Sequence, residues 1–302
     1  MKRFIKHIFL FIGFLAIFYS LLLIVIGGIP GRKSHPNLVY KKQGGHLHSR
    51  LKEAQKINAV DVLFIGSSHA YRGFDPRIFE AHGKSSFNLG SSSQAPEQTY
   101  VLLQKFLPSI RAKHIIFEVC PVSFSSDGIE SSLDIVSHSK SDRFSLFLVL
   151  QLQHLKVFNT FIYSTIRQWI GLEKEVVEER IIGKDHYISG GFVEKQTKGF
   201  NVEVIHEPYD LNEAQLLAFR KIVDLVNLHK IELILVQAPV TDANYSNFSD
   251  HKTFDALMRS CADYYNFNEI LALEDSLYFY DSHHLNKEGV KVFNEELIRL
   301  LY

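Results

Sequence analysis

The chain opens with an apolar run unlike anything that follows it. From Ile8 to Gly31 no residue is charged, and most positions are Ile, Leu, Phe or Val. A helix needs about 20 apolar residues to cross a bilayer, and a lone segment there must satisfy its own backbone as a helix. The pattern predicts a short tail over 1–7, a transmembrane helix over 8–31 and a polar, basic linker over 32–58, partly helical near its end. A cleaved signal peptide is the rival reading. Its apolar core is shorter, about 7–15 residues, and Gly27-Gly28-Ile29-Pro30 does not resemble an A-x-A cleavage site.

From residue 59 to 302 the periodicity changes to that of a soluble domain. Val60–Ile65 is a short apolar run ended by Gly66, as expected of a buried strand. Ser86–Leu89 and His114–Val119 read as further strands, closed by Gly90 and Pro121. Pro96–Leu107 between them has helical spacing, with proline in its first turn. Asn212–Leu228 predicts a helix capped by Asn212, with Gln215 as a capping-box partner. A strand over Ile231–Gln237, a helix over Lys252–Tyr265, a weak strand near Ile270–Leu273 and a closing helix over Lys287–Leu301, capped by Asn286, complete the domain. Strands alternating with helices predict an α/β fold with a mainly parallel sheet covered on both faces. The stretch from about 125 to 210 breaks the alternation and reads as an insertion that covers the site, or as a small subdomain that packs on a partner.

Charge adds little: 33 basic and 33 acidic residues balance, which gives no reason to expect nucleic-acid binding. The 15 histidines are scattered, with no H-E-x-x-H or Cys/His zinc pattern, so neither a metal nor another cofactor is expected. Cys120 and Cys261 allow one disulfide in an oxidising compartment or two separate buried thiols. Lys2, Arg3 and Lys6 precede the span, but Arg32, Lys33, Lys41 and Lys42 follow it, so the positive-inside count does not fix orientation. Retaining a short tail is easier than retaining the domain. The expected arrangement is therefore N-terminus in, domain outside, periplasmic or extracellular.

Two motifs carry candidate chemistry. Val62-Leu63-Phe64-Ile65-Gly66-Ser67-Ser68-His69 runs a buried strand into a turn of small residues that presents Ser68. Tyr280-Asp281-Ser282-His283-His284-Leu285-Asn286 sets an aspartate three residues before a histidine. A serine hydroxyl needs a base to attack and donors for the oxyanion it creates. A carboxylate holds the imidazole in the right tautomer. A serine that only makes a turn, and a surface Asp with hydrated histidines, are the plainer readings. His283 beside His284 leaves open which ring would act.

Together these motifs resemble the GDSL/SGNH-type hydrolases, with Gly66-Ser67-Ser68 for Gly-Asp-Ser, Asn88-Leu89-Gly90 for the glycine block after the second strand, and Asp281-Ser282-His283-His284 for Asp-x-x-His. Leu285-Asn286-Lys287-Glu288-Gly289 resembles the continuation found in membrane-anchored branches. The resemblance covers about 60–122 and 212–300. It implies a flavodoxin-like three-layer α/β/α domain, with Ser68, Asp281 and His284 catalytic and the Ser68 and Gly90 N–H groups in the oxyanion hole. It also implies O-acyl esterase or acyltransferase chemistry on a cell-envelope or secreted polysaccharide, with a multi-spanning acyl-transfer protein as partner. Two departures stand out: Ser67 replaces the aspartate, and Phe117-Glu118-Val119-Cys120-Pro121-Val122 replaces the Gly-x-Asn-Asp block and its oxyanion asparagine. A G-x-S-x-G α/β-hydrolase is the nearest enzymatic rival. A small-ester or lipid esterase, and an inactive scaffold on the same fold, are the others.

Overall fold

The structure, a computed structural model, describes residues 1–28, 34–35, 37–40, 45–172, 177–197, 199–200 and 210–302. The expected span end at 29–31, most of the linker from 32 to 44, and positions 173–176, 198 and 201–209 of the expected insertion lie in whole or in part outside the described residues. The chain divides into two compact units, Met1–Lys42 with Ser132–Val177, and Gln43–Ser131 with Glu178–Tyr302. The stretch read as one insertion is thus shared between them.

The smaller unit holds the N-terminal helix Lys2–Gly27, which is long and apolar enough to cross a membrane. It starts before the apolar run because Lys, Arg and Phe continue a helix at little cost. Two further helices, Arg143–Leu152 and Leu155–Trp169, form a hairpin. Asp142 caps the first by accepting from the Phe144 and Ser145 N–H groups, while Ser145 Oγ accepts from the Asp142 N–H, a reciprocal capping box.

The larger unit runs α1 (Leu47–Ala54), β1 (Ala59–Ile65), α2 (Ser68–Gly73), α3 (Pro76–Ala81), β2 (Ser86–Asn88), α4 (Pro96–Phe106), β3 (Arg111–Glu118), α5 (Glu213–Leu228), β4 (Glu232–Gln237), α6 (His251–Cys261), β5 (Asp263–Asn266) and α7 (Lys287–Leu301). All five strands are parallel, in the order 2-1-3-4-5. This is the flavodoxin-like order, whose reversal between β1 and β3 opens a crevice at the strands' carboxyl ends. A separate antiparallel ribbon pairs Ile181–Ile182, Asp185–Ile188 and Phe192–Lys195.

Alternation along the strands sorts the core into two faces. Val62, Phe64, Ile116, Ile234 and Val236 share one buried cluster with Phe74, Phe79, Phe293 and Leu297 of α3, α7 and the α2 end. Phe64 stacks on Phe74 at 4.6 Å and meets Phe79 edge-on at 4.9 Å. On the other face Phe117 lies 6.1 Å from Phe219 of α5, which packs against α4.

Three local expectations are corrected. The edge strand is Asp263–Asn266, not Ile270–Leu273, and the preceding helix stops at Cys261. Tyr264 and Tyr265 suit a half-buried edge, and Tyr264 Oη anchors it, sharing its one proton between Asp255 Oδ1 at 2.7 Å and Gln237 Oε1 at 2.8 Å. Asn266 then caps a helical turn over Phe267–Ile270. Asn212 does cap α5 through the Ala214 N–H. Gln215 makes no capping box, however; its side chain reaches Glu97, accepting from the backbone N–H and donating to the carboxylate. Cys120 and Cys261 are both free thiols.

Candidate active site

The serine turn follows directly from strand geometry. β1 ends at Ile65, paired with Phe117 of β3, so the next residues along, Gly66 and Glu118, come side by side. Gly66 has φ of +135°, and a Cβ there would sit 2.8 Å from Glu118 Cβ. Only glycine fits both demands. The chain then turns into α2. Ser67 caps it by accepting from the His69 N–H, and Ser68 is its first residue.

The aspartate–histidine loop is fixed from its other end. Phe279 and Leu285 form a β-bridge, and the Tyr280 N–H donates to the His284 carbonyl. Asn286 caps α7 by accepting from the Glu288 and Gly289 N–H groups. Inside the loop, Asp281 Oδ1 accepts from the His283 and His284 backbone N–H groups at 3.0 and 2.8 Å. The Thr241 hydroxyl holds the Ser282 carbonyl at 2.7 Å.

These two turns meet. His284 Nε2 lies 2.9 Å from Ser68 Oγ, and His284 Nδ1 lies 2.9 Å from Asp281 Oδ2. This bonding puts the proton on Nδ1 and leaves the Nε2 lone pair facing the serine hydroxyl. The ambiguity between the paired histidines is resolved: His284 faces Ser68, while His283 Nδ1 bonds Ser282 Oγ. Burial pushes the His284 imidazole down to about 4. Asp281 opposes that shift, and His283 and Arg72 add to it. Burial alone would raise Asp281, but the His284 hydrogen bond and the two imidazoles hold it well below the usual carboxylate range. At neutral pH the pair is therefore an ionised carboxylate and a neutral base.

The two N–H groups expected as oxyanion donors differ in their surroundings. The Ser68 N–H, at the start of α2, has no hydrogen-bond partner among the described residues. The Gly90 N–H, expected as the second donor, is engaged at 2.9 Å by Asn88 Oδ1, two residues back. The other end of that amide donates to the Ala70 carbonyl of α2 at 2.8 Å. A Cβ on Gly90 would also come within 3.0 Å of the Gly66 and Ser67 carbonyls. Gly90 thus lies against the serine turn, with its N–H already bonded.

Three neighbours escaped the sequence reading. The first is Glu118, buried at the end of β3. Ser67 Oγ donates to its Oε2 at 2.9 Å, and the Ser67 N–H lies 3.4 Å from the same oxygen. Burial pushes this carboxyl up to about 7, against the pull of the two Ser67 bonds. Its Oε1 has no hydrogen-bond partner among the described residues, which further disfavours the charged form. The second is His69, whose Nδ1 is 3.1 Å from Ser67 Oγ and whose ring lies 5.3 Å from that of His284. Burial, and then His284 and His283, hold its pKa well below the ordinary value. The third is Tyr280, whose ring stacks on His284 at 5.5 Å and 10°. One turn after Ser68, Arg72 pairs with both oxygens of Asp185 at 3.1 and 2.9 Å, tying α2 to the ribbon. The available signal for Glu118 was a lone acid closing an otherwise apolar strand.

Among the described residues, two groups have donor atoms close enough together to share a metal: Asp281, His283 and His284, and His69, Glu118 and Cys120. In the first group His284 bonds Asp281 through Nδ1 and Ser68 through Nε2, and His283 bonds Ser282 through Nδ1. In the second, burial and the nearby Glu118 raise the Cys120 thiol, keeping it protonated.

No protein-family model matches the chain, and no curated protein does. Solved structures similar to it include a GDSL-like lipase from Bacteroides thetaiotaomicron, at 10% identity and a TM-score of 0.41, over 85% of this chain and 97% of that one. A provisionally assigned acylhydrolase from Bacteroides fragilis has 12% identity and a TM-score of 0.42, over 86% and 97%. A provisionally assigned lipolytic protein of the G-D-S-L family from Desulfitobacterium hafniense has 14% identity and a TM-score of 0.41, over 80% and 99%. The chemistry of the site follows from its own geometry.

Two predictions arise here. If His284 must be neutral to act, kcat/KM for an activated ester stays level through neutral pH and falls only well below 6.5, towards about 4; an acid limb at 6.5 or above would contradict the buried imidazole. Glu118 bears on stability. Its folded value of about 7 exceeds the ordinary 4.5, so its contribution is complete below pH 4.5 and lost as pH rises through 7. The depressed histidines contribute the opposite slope. Glu118→Gln removes only the first, so its thermal midpoint should gain on wild type between about pH 4.5 and 7 and hold a constant difference above. A difference that does not vary with pH would show that Glu118 does not titrate there.

Proposed function

We propose that this chain is a serine-dependent O-acyl esterase or acyltransferase of the SGNH type. The observation that carries the reading is the continuous relay from Ser68 Oγ through His284 to Asp281, each link at 2.9 Å. As Ser68 Oγ attacks an ester carbonyl, His284 Nε2 takes its proton, and the Ser68 N–H donates to the oxygen that becomes negative. His284 then returns the proton to the departing alcohol oxygen, leaving an acyl-serine. Water or a second hydroxyl, deprotonated by His284, resolves the ester and restores Ser68. Hydrolysis and transfer differ only in that last nucleophile.

The finer reading is an acyl group, acetyl by preference, carried on a cell-envelope or secreted polysaccharide. The N-terminal helix supports it, because a membrane-crossing segment would hold the relay beside envelope glycans, with the domain periplasmic or extracellular. A multi-spanning membrane protein delivering activated acyl groups is the partner that transfer would require. One observation favours a second reading, an inactive scaffold: the Gly90 N–H is bonded to Asn88 rather than free. Losing one oxyanion donor costs about 10²–10³ in rate, which slows an enzyme without abolishing it.

A fluorophosphonate probe separates these readings. Wild type should label at Ser68, and both labelling and ester turnover should fall by about 10⁴–10⁶-fold in Ser68→Ala and His284→Ala. An unlabelled wild type, in protein that binds glycan normally, would favour the scaffold.

A further inference from the structure

The smaller unit exposes an apolar surface that the chemistry at Ser68 does not use. On the helix Arg143–Leu152, Leu146, Phe147 and Leu150 lie on one exposed face, with Leu150 62% exposed. On Leu155–Trp169, Leu155 and Phe158 are exposed, and Trp169 at its end is 88% exposed. Ile170 and Leu172 continue the patch. A surface of this kind on a soluble protein marks a binding site.

The N-terminal helix indicates what covers it. Its first residues up to Phe18 are exposed, and burial begins at Tyr19. From there the helix packs on Leu155–Trp169: Tyr19 Oη donates to Asn159 Oδ1 at 2.5 Å, and Gly27 leaves room for the Tyr163 ring. Lys2, Arg3 and Lys6 occupy the other end. At 1.5 Å per residue, a hydrocarbon core of about 30 Å starting after them needs some 20 residues, Ile8 to Gly27. The exposed part alone, Ile8 to Phe18, covers only about 16 Å of it. The part that holds the hairpin must therefore enter the bilayer, and Tyr19 lies about 12 Å inside the end at Gly27. Charge agrees: from Arg143 to Leu172 there is no Asp or Glu, and the charged residues are Arg143, Lys156 and Arg167, as suits anionic headgroups. The Arg167 guanidinium lies over the Tyr40 and Tyr163 rings, 5.1 and 5.5 Å from their centroids.

We propose that the hairpin Arg143–Trp169 is a second membrane element, which dips its Leu146, Phe147, Leu150, Leu155, Phe158 and Trp169 side chains into the leaflet entered by the carboxyl end of the N-terminal helix. The protein is then held by a span plus an in-plane hairpin. The proposal needs the helix to span, but not a particular orientation or any activity at Ser68.

Trp169 is the single tryptophan of the chain, so the full-length protein reports on itself. It is reconstituted in vesicles of phosphatidylethanolamine with phosphatidylglycerol, washed with alkaline carbonate and read by fluorescence. Acyl chains brominated near the headgroup should quench Trp169 at least about two-fold, and aqueous iodide should not reach it. Trp169→Phe combined with Leu150→Trp should behave alike, since Leu150 is exposed and tolerates the change. Three outcomes overturn the proposal. One is retention of the chain with both tryptophans open to iodide. Another is shielding that follows protein density without bromine quenching, which would indicate a second copy. The last is loss of the chain in the carbonate wash, which removes the span.

Discussion

Ser68 and His284 are 216 residues apart in the chain, yet their side chains meet at 2.9 Å. The sheet and the elements packed on it bring that contact about. The parallel sheet supplies the frame, because the order 2-1-3-4-5 sets the end of β1 beside the crevice between β1 and β3. Gly66 then lets the chain turn against Glu118, and α2 begins at the serine. α7, packed on the β1 face through Phe293 and Leu297, carries the aspartate–histidine loop back to the same edge.

Burial governs the electrostatics around that contact. It lowers His284, His283 and His69 and raises Glu118, in each case favouring the neutral form. Asp281 escapes this trend because two backbone N–H groups and the His284 ring bond it. One full charge thus sits at the far end of the relay, with neutral groups between it and the serine. That arrangement suits a base that must accept a proton at Nε2 during reaction and hold none on that nitrogen before it. Ser67 links the turn to the buried Glu118 and His69. Glu118, buried at the end of β3, is the carboxyl that braces this turn.

The parts of this site legible in the sequence are those set by local pattern. The apolar strand before Gly66, the Asp281–His284 spacing and the Asn286 cap each lie within a few residues of one another, and each forms where its spacing places it. What was not legible depends on pairing across the fold. Glu118 reads as an ordinary strand end until the register of β1 on β3 puts it under Ser67. The Gly90 N–H reads as free until Asn88 folds back on it. β5 was missed for a related reason: Ile270–Leu273 is the more apolar segment, but tyrosines 264 and 265 fit the exposed sheet edge beside β4.

The central claim is that Ser68 carries the acyl group between donor and acceptor. It is tested most directly by acid-quenching the full-length protein during turnover of an activated acetyl ester and sequencing its peptides by mass spectrometry. The account predicts acetyl on the peptide containing Ser68, bound to that serine, and none there in His284→Ala. Steady turnover with Ser68 unmodified, or with the acetyl group on another side chain, would contradict it.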